Sequence, residues 1–443
     1  MKRSLKGLAV FWGRLSPTRL VAIGYLAYAV AGWIVLCLPV VQAKSVTWLD
    51  NLFTSVSALS TTGLVTVSTS GSYNLLGQAI ILLLIQVGGI GYMTFGSFVV
   101  LSRTGALPER RREIARTVFS VPADLHIDHL LRSVIVFTAI IEAAGAAALY
   151  GAFRHAGVQA AAWSSIFHSI SAFCTAGFSL YDNSLEAYRS DFWINTILGI
   201  VSYLGAVGFI VCLDVWRRVT GRARRITLTS RIILISTFWL TVAGMLLFFI
   251  CEPSIRALDT DDRLLASLFQ VMAALTTVGF NSIPISQLSQ ASLFLMILLM
   301  LVGASPSGTG GGLKTTTFTA ILGVMRSAMK GAERVYFWGK EIPAARVWLA
   351  MASLGFYAGS LILGSFLLAL SESHGFENLL FEAASALGTV GLSTGITSQL
   401  THVGKLIVIA LMFVGRIGPL AFGLSLFCGG KEPRPSGQED LAV

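Results

Sequence analysis

Long apolar stretches alternate along the chain with short polar segments. Eight of the stretches are long enough to cross the hydrocarbon core of a bilayer, which takes about 20 mostly apolar residues. They lie near residues 17–40, 72–102, 130–152, 192–215, 230–251, 292–325, 346–371 and 403–428. An even number of crossings puts both ends of the chain on one side of the membrane. The pattern predicts an all-α polytopic membrane protein with eight transmembrane helices.

A 13-residue pattern occurs four times, each copy lying between two apolar stretches. The copies are LFTSVSALSTTGL (52–64), IFHSISAFCTAGF (166–178), LFQVMAALTTVGF (268–280) and LFEAASALGTVGL (380–392). Each has a phenylalanine ten residues before a glycine, and a threonine two residues before the same glycine. The helical part of a copy, about nine residues, rises only ~13 Å and cannot cross the bilayer. Each copy is therefore predicted to enter the membrane and return as a pore loop.

The four copies divide the chain into four repeats that start and end on the same side. Parallel repeats can surround an axis along the membrane normal, whereas inverted repeats would favour a carrier with a midplane site. We therefore expect four span, re-entrant pore loop, span repeats around one central pore. The repeats cover residues 17–102, 130–215, 230–325 and 346–428, with a cytoplasmic N-terminus at 1–16 and a cytoplasmic tail at 429–443.

The charged residues agree with this topology. The 443-residue chain is 54% hydrophobic and 12% charged, and its net charge of +10 comes from basic residues in the N-terminus and in the segments after the second, fourth and sixth spans. By the positive-inside rule these segments are cytoplasmic, which predicts a multi-pass plasma-membrane protein with both termini inside the cell. Nucleic-acid binding is not expected, because the basic residues are not gathered on one domain.

The reactive side chains do not form a catalytic motif. The five cysteines are scattered along the chain, and the six histidines show neither an HExxH motif nor the spacing of a nucleophile and its base. No paired carboxylates recur at membrane depth. We therefore predict that the protein is not an enzyme and carries no covalent cofactor.

The glycine of each pore loop indicates a cation pore. A ring of backbone carbonyl oxygens can replace the hydration shell of potassium, and glycine adopts the positive φ that inward-facing carbonyls require. The turns contain no acidic side chain, which disfavours pores built from charged rings. Potassium, as the substrate, is the one metal ion we expect to bind, at a selectivity filter. The predicted filter residues are Ser60, Thr61, Thr62, Gly63, Cys174, Thr175, Ala176, Gly177, Thr276, Thr277, Val278, Gly279, Gly388, Thr389, Val390 and Gly391.

The sixth apolar stretch is interrupted at residues 303–317, GASPSGTGGGLKTTT, where glycine, proline, serine and threonine predominate. A continuous helix is incompatible with this composition. We predict an intramembrane loop below the filter that obstructs the pore and must move for conduction. Nucleotide binding is not expected here, because leucine rather than glycine precedes the lysine. The predicted gate residues are Gly303, Ser305, Ser307, Gly308, Gly310, Gly311, Gly312 and Lys314.

Other residues within the spans allow two interpretations. Lys314 is either an anchor of the loop or a barrier to cations, and Glu142 is expected to be a packing or pairing partner. His168, in one of the short helices, is a candidate for tuning the pore. The even-numbered spans share a glycine, for which close helix packing and pore widening are both open. These glycines are Gly88, Gly205, Gly303 and Gly415.

The four pore loops, the eight spans and the C-terminal motif FVGRIGPLAF resemble the Ktr/Trk/HKT superfamily of potassium transporters. The resemblance covers nearly the whole chain and is strongest to the KtrB-like membrane subunits of bacterial Ktr potassium uptake systems. It implies potassium uptake through a channel-like pore that is gated by the interrupted sixth span. It also implies that Arg416 lies just below the filter as an electrostatic barrier, with a salt bridge or carbonyl cap as the alternative role.

The resemblance further implies partners. It predicts a homodimer in the membrane and a cytosolic nucleotide-binding regulatory ring (KtrA-like), so that nucleotide acts only through that partner subunit. Sodium is a candidate activator. A sodium-coupled potassium symporter and a non-conducting membrane scaffold remain as alternatives. The scaffold leaves the four turn glycines unexplained, whereas the sequence does not separate a channel from a symporter.

Overall fold

The computed structural model describes residues 17–91, 127–306, 308–332, 334–418 and 421–423. The described chain is mostly helical, as the apolar pattern predicts. The predicted gate residue Ser307 lies outside the described residues. So do the predicted terminal segments 1–16 and 429–443 and most of the predicted basic segment after the second span.

The helices follow the apolar stretches and the pore-loop copies along the chain. In the described residues the α-helices are α1 (Pro17–Leu36), α2 (Trp48–Leu59), α3 (Thr69–Ser72), α4 (Leu75–Ile90), α5 (Ile127–His155), α6 (Ala161–Phe173), α7 (Phe192–Val207), α8 (Phe209–Val219), α9 (Leu228–Cys251), α10 (Thr260–Leu275), α11 (Gln290–Leu301), α12 (Thr315–Met329), α13 (Ala344–Ser371), α14 (Phe376–Gly388) and α15 (His402–Ile417). Short 3-10 helices lie at Pro39–Val41, Glu186–Tyr188, Ile285–Gln287 and Thr397–Gln399.

Four of the described helices, α1, α5, α9 and α13, are long and apolar enough to cross a membrane. Helices α7 and α8 make a fifth candidate span if they are counted together, although they are bent by 100°. Helices α4 and α11 are apolar but shorter. The predicted stretch 192–215 is therefore two helices, because Gly208 adopts a φ of 87° that ends α7.

Helices α2, α6, α10 and α14 contain the four copies of the 13-residue pattern. They have 12, 13, 16 and 13 residues, more than the nine predicted, because each begins well before the phenylalanine of the pattern. The side chain of Thr47 caps α2, and Asp261 and Asp262 lie in the first turn of α10, where carboxylates are favourable. At about 18 to 24 Å these helices are still shorter than a membrane span.

The helices pack in a closed cycle. Each of the helices α2, α6, α10 and α14, called here the short helices, contacts the apolar helix before it and the apolar helix after it in the sequence. The apolar helix after it also contacts the next short helix. These further pairs are α4 with α6, α7 with α10, α11 with α14, and α15 with α2. The last pair joins the end of the chain to its beginning, and a salt bridge of 2.8 Å between Lys405 and Asp50 crosses it.

Two small pairs of strands complete the fold. Strand β1 (Val302–Gly303) pairs in parallel with β2 (Leu313–Lys314). The described residues between them, 304–306 and 308–312, form a loop between the paired ends, termed here the central loop. Strands β3 (Tyr336–Phe337) and β4 (Lys340–Glu341) form an antiparallel hairpin after α12. Gly323 of α12 leaves room for Phe337 of this hairpin.

Candidate functional site

The four predicted filter segments follow the C-terminal ends of the short helices and meet one another in a ring. We call residues 60–63, 174–177, 276–279 and 388–391 the first, second, third and fourth turns. The glycine of each turn lies so close to the next turn that an added Cβ would overlap a backbone carbonyl oxygen there. The contacts are Gly63 with Ala176, Gly177 with Val278, Gly279 with Val390, and Gly391 with Thr62. The contacts return to the first turn, so the four turns surround one axis.

Two residues in each turn have a left-handed backbone conformation. The glycines have φ values of 90°, 66°, 77° and 95° in chain order, as the predicted role of glycine requires. The threonines two residues earlier also have positive φ, which is rare for a β-branched residue. These are Thr61, Thr175, Thr277 and Thr389, with φ between 49° and 57°. The repeated threonine is visible in the sequence, but its backbone conformation was not predicted.

In three of the four repeats, a serine six residues before the turn glycine forms hydrogen bonds that link the helix to the turn or to the residue after it. Ser57 Oγ accepts a hydrogen bond from the N–H of Gly63 at 3.1 Å and donates to the carbonyl of Leu64 at 2.7 Å. Ser171 donates to the carbonyl of Phe178 at 2.8 Å, and in the fourth repeat the Oγ of Ser385 accepts from the N–H of the turn glycine at 3.0 Å. The third repeat has an alanine at this position, so its turn lacks a side-chain link of this kind. The role of these serines was not predicted, although three of the copies contain them.

The central loop lies against the threonines of the second, third and fourth turns. The hydroxyl of Thr309 is 3.2 Å from that of Thr175 and donates to the carbonyl of Phe173 at 2.9 Å. Gly310 and Gly311 lie so close to the threonine hydroxyls of the third and fourth turns that neither could carry a side chain there. The predicted gate residues and the predicted filter residues are thus in direct contact.

Backbone hydrogen bonds attach the central loop to the end of α7. The N–H of Ser305 donates to the carbonyl of Ala206 at 3.0 Å, and the N–H of Thr309 donates to that of Gly205 at 3.0 Å. These carbonyls are available because α7 ends at Gly208, and the last carbonyls of a helix have no partner within it. Lys314 Nζ donates to the carbonyl of Gly310 at 2.7 Å and braces the loop from within.

Three further predicted gate residues, all glycines, also allow the central loop to pack closely against its neighbours. Gly303 pairs with Lys314 in the β1–β2 ladder, and a Cβ on it would overlap the backbone at Gly311. Gly308 lies against the carbonyl of Ala206, and Gly312 has a φ of 71°. Glycine at these positions therefore lets the loop fold tightly under the turns.

Arg416, near the end of α15, reaches the first turn. Its Nη1 donates to the hydroxyl of Thr61 at 2.9 Å and also to the carbonyl of Thr309. Its Nη2 donates to the carbonyls of Gly88 and Gly89 in α4. In the described part of the chain the guanidinium meets carbonyls and a hydroxyl, and no carboxylate forms a salt bridge with it. Each of the four turn threonines is thus contacted either by the central loop or by Arg416.

The glycines shared by the even spans are packing positions in three repeats. A Cβ on Gly88, Gly205 or Gly415 would overlap a carbonyl in the last turn of the adjacent short helix. Gly303 instead meets the central loop. A second glycine, three residues later, has positive φ and ends the helix in the same three repeats. These glycines, whose role was not predicted from the motifs QVGGIGY, YLGAVGF and FVGRIGP, are Gly91, Gly208 and Gly418.

Glu142 in α5 lies behind the second turn. Its Oε2 accepts a hydrogen bond of 2.9 Å from the side-chain amide of Gln86, and its Oε1 is 3.7 Å from the thiol of Cys174. Its backbone carbonyl accepts from the hydroxyl of Ser169 at 2.7 Å. The carboxyl group therefore joins α4, α5 and the second turn, a set of contacts that fits a pairing partner.

A cavity of about 390 Å³ opens on the side of the turn glycines, all four of which line it. Its described lining residues include Asp182 and Glu186 and no basic side chain. Burial raises the pKa of Glu186 above its ordinary value, and a hydrogen bond of 2.8 Å from Asn281 opposes this rise. An acidic, hydroxyl-rich cavity attracts cations to the ring of turns.

Comparison with known proteins identifies the family to which the chain belongs. The family model described as "TrkH: Cation transport protein" matches residues 27–426. The chain is 34% identical to the Ktr system potassium uptake protein B of Bacillus subtilis (strain 168), over 95% of each chain. It is 33% identical to the potassium/sodium uptake protein NtpJ of Enterococcus hirae, over 93% of each chain.

A solved structure supports the fold. The crystal structure of the potassium transporter TrkH from Vibrio parahaemolyticus matches with a TM-score of 0.71 at 19% identity, covering 93% of this chain and 85% of that one. The predicted family resemblance is confirmed by the family model and by the relatives. With its several apolar helices, the chain is a multi-pass membrane protein, an ion transporter rather than an enzyme, and it belongs to the TrkH family of cation transport proteins.

Proposed function

We propose that the chain takes up potassium across the plasma membrane through one channel-like pore along the axis of the four turns. The closed cycle of glycine contacts between the turns carries this proposal. Four similar turns around an axis leave a narrow path bounded by their backbone, which suits a small ion stripped of water. The choice of potassium is supported by relatives named as potassium uptake proteins.

The four turns form the selectivity filter in this proposal. Positive φ at both the threonine and the glycine of each turn supports backbone carbonyls as ligands, since regular helix or strand geometry would not direct them to a common axis. The turn side chains are uncharged. A neutral carbonyl ring binds a monovalent cation without the tight hold that a ring of carboxylates would exert on calcium.

The central loop is the gate, and Arg416 adds an electrostatic barrier beside it. Contacts between the loop and three turn threonines, together with the hydrogen bond from Arg416 to Thr61, support an obstruction directly beneath the filter. Conduction then requires the loop to leave the threonines. Lys314 braces the loop against itself, which fits an anchor better than a second barrier.

Eight membrane crossings in four parallel repeats complete the proposal. The second crossing of each repeat is α4, the bent α7–α8 pair, the broken α11–α12 pair or α15. The repeats then occupy residues 17–102, 130–215, 230–325 and 346–428, with both termini in the cytoplasm. The cyclic packing of short helices against the following repeat supports this arrangement.

The proposed assembly rests on the family resemblance. We propose a homodimer in the membrane and a cytosolic nucleotide-binding ring as the regulatory partner, with sodium as a candidate activator. The name of the Bacillus subtilis relative as protein B of a Ktr system supports a multi-subunit assembly. Nucleotide then acts on this chain only through the partner.

A sodium-coupled potassium symporter is the second candidate. It is favoured by the similarity to a relative named as a potassium/sodium uptake protein. A symporter moves the two ions in a fixed ratio, whereas a channel-like pore gives a reversal potential set by the permeant ion alone. A non-conducting scaffold is not favoured, because it gives the ring of turns no role.

Ion flux into proteoliposomes that contain the purified full-length chain tests the proposal. Vesicles loaded with potassium are challenged with gradients of potassium, rubidium, sodium and lithium, with and without a cytosolic fraction. Fluxes of potassium and rubidium well above that of lithium, reversing with voltage, are expected. A fixed sodium-to-potassium ratio would replace the channel with the symporter, and no flux even with the cytosolic fraction would support the scaffold.

A further inference from the structure

We infer that His168 and Glu382 are positioning residues that fix two diagonally opposite filter turns and thereby set the preference for potassium over sodium. The inference rests on the proposed function, because it assigns these residues to the filter proposed there. Matching side-chain hydrogen bonds, present in two repeats and absent from the other two, carry it.

Both residues occupy the third position of the 13-residue pattern, directly after its phenylalanine. Every repeat has a polar residue at this position, and none of the four side chains is more than 2% exposed. The four residues are Thr54, His168, Gln270 and Glu382. Burying a polar side chain costs free energy unless the side chain is hydrogen-bonded. A hydrogen-bond partner is therefore expected at each of these four positions.

His168 connects α6 to the segment that follows the second turn. Its Nδ1 is 2.7 Å from the carbonyl oxygen of Ser164, which can only accept, so this nitrogen carries the proton. In the neutral ring Nε2 then accepts a hydrogen bond from the hydroxyl of Ser179, 3.0 Å away. Ser179 Oγ in turn accepts from the N–H of Tyr181 at 3.0 Å, and the ring of Tyr181 stacks on the imidazole. The histidine therefore holds the residues beyond the second turn through two interactions, the hydrogen bond with Ser179 and the stacked ring of Tyr181.

Glu382 makes the equivalent connection in the fourth repeat. Its Oε1 accepts from the hydroxyl of Ser393 at 3.3 Å and from that of Thr397. Ser393 Oγ accepts from the N–H of Gly395 at 3.0 Å, which repeats the arrangement around Ser179. Ser179 and Ser393 each lie two residues after a turn glycine, and both line the cavity above the turns. The same chain of bonds thus runs from helix to serine to loop in both repeats.

The first and third repeats lack this connection. Val65 replaces the serine in the first repeat, and Asn281 replaces it in the third. The side-chain amide of Asn281 donates to Glu186 and to the carbonyl of Ile283 instead. Neither polar atom of the Gln270 side chain has a hydrogen-bond partner among the described residues. Gln270 is therefore a buried polar residue at the same position without a link to its turn.

The order of the turns places the two connections on one diagonal. The glycine contacts run from the first turn to the second, third and fourth and back to the first, so the second and fourth turns face each other across the axis. Holding both fixes the separation of opposite carbonyl groups along that diagonal. The spacing and stiffness of the carbonyl ligands are the properties on which discrimination between potassium and sodium depends.

The test measures potassium and sodium flux into proteoliposomes for full-length variants. His168→Leu and Glu382→Leu are expected to lower the potassium-to-sodium flux ratio about tenfold. A change of this size corresponds to the free energy of roughly one lost hydrogen bond. Glu382→Gln is expected to restore most of the ratio, because its amide oxygen still accepts from Ser393 and Thr397. The matched control is Gln270→Leu, expected to stay within about twofold of wild type because it breaks no bond to a turn.

Several outcomes overturn the inference. If Gln270→Leu lowers the ratio as much as Glu382→Leu, burial of a polar group and not its bond to the loop is responsible. If every variant keeps the wild-type potassium-to-sodium flux ratio, the proposed filter is retained but the inference is wrong. If the wild-type chain conducts without preferring potassium, the proposed filter is wrong, and the inference that rests on it is wrong as well. Should Glu382→Leu not yield a monodisperse protein, the double change Ser393→Ala with Thr397→Val removes both hydrogen bonds to Glu382 from the loop side. An unchanged ratio in that variant also overturns the inference.

Discussion

Arg416 donates a hydrogen bond of 2.9 Å to the hydroxyl of Thr61 and so joins α15 to the first turn. The same guanidinium reaches the carbonyls of Gly88 and Thr309, which belong to α4 and the central loop. Three segments that are distant in the sequence therefore converge on one positive charge. In the proposed pore, a cation that leaves the filter would meet that charge in surroundings of low polarity, where like charges repel strongly.

Replacing Arg416 with glutamine is expected to raise potassium flux. The change removes the repulsion and the hydrogen bond to the carbonyl of Thr309 in the loop. An increase of about tenfold corresponds to ~1.4 kcal/mol of lost barrier. Flux into proteoliposomes without the regulatory partner measures it. Arg326→Gln, at the exposed end of α12, is the control for charge alone. Unchanged or lower flux from a monodisperse Arg416→Gln protein would contradict the barrier.

Adding one methyl group to the central loop is expected to open the pore partly. In Gly311→Ala the new Cβ overlaps the hydroxyl of Thr389, so the loop must move away from the fourth turn. Flux without the regulatory partner should rise severalfold. Gly151→Ala, in α5 where nothing lies within 4 Å of the added Cβ, is the matched control and should conduct as wild type does. A folded Gly311→Ala protein with lower flux would mean that the loop supports the pore instead of blocking it.

Replacing the glycine of the third turn is expected to weaken ion selectivity. In Gly279→Ser the side chain overlaps the carbonyl of Val390, and the φ of 77° is costly for any residue with a Cβ. The ring must distort, so the potassium-to-sodium flux ratio should fall about tenfold, which equals ~1.4 kcal/mol. Gly199→Ser, which meets only an ordinary contact with Met272, should keep the wild-type ratio. A Gly279→Ser protein with unchanged ion preference would remove the third turn from the filter.

Breaking the salt bridge between Lys405 and Asp50 is expected to destabilise the closed cycle of helices. Both side chains are largely buried, at 13% and 10% exposure, so removing one leaves the other charge unpaired. The cost should be about 3 kcal/mol in Lys405→Met, and thermal unfolding in detergent measures it. The double change with Asp50→Asn should recover part of the loss, because no buried charge then remains. Equal losses in the single and double variants would show that the pair is not coupled.

Potassium uptake at low external concentration is expected to decline on acidification of the outer side. Burial raises the pKa of Glu186, so this carboxyl becomes neutral at a higher pH than an ordinary glutamate does. The negative charge that attracts cations into the cavity is present above the raised pKa and is lost as the pH falls through it, for a drop of roughly twofold. Glu186→Gln should remove this step, whereas Asp259→Asn, outside the cavity lining, should retain it. A step that persists in Glu186→Gln would assign it to another group.

The fold and most of the site were predictable because four copies of one pattern appear in the sequence. The phenylalanine, the threonine and the turn glycine recur in register, so the four turns align with one another by residue type alone. The interruption at residues 303–317 was visible from glycine content, although the described helix ends at Leu301 and the next begins at Thr315.

Other features depend on long-range contacts that a single sequence does not contain. The attachment of Ser305 to Ala206 joins two repeats through backbone atoms, and no side-chain pattern encodes it. The bend at Gly208 was not predicted because the apolar stretch continues through it, and composition alone indicates one span. The 13-residue pattern includes positions 168 and 382, but the serines that bond them lie one residue beyond its end, where the four copies differ.

The break at Gly208 makes two backbone carbonyls of α7 available to the central loop. If α7 continued into α8 as one helix, the N–H groups of Phe209 and Ile210 would bond the carbonyls of Gly205 and Ala206. Those are the acceptors that now hold Thr309 and Ser305 of the central loop. The bend at Gly208 therefore leaves both carbonyls available to the loop. A straight helix would place the N–H groups of Phe209 and Ile210 in competition with the loop for the same two acceptors.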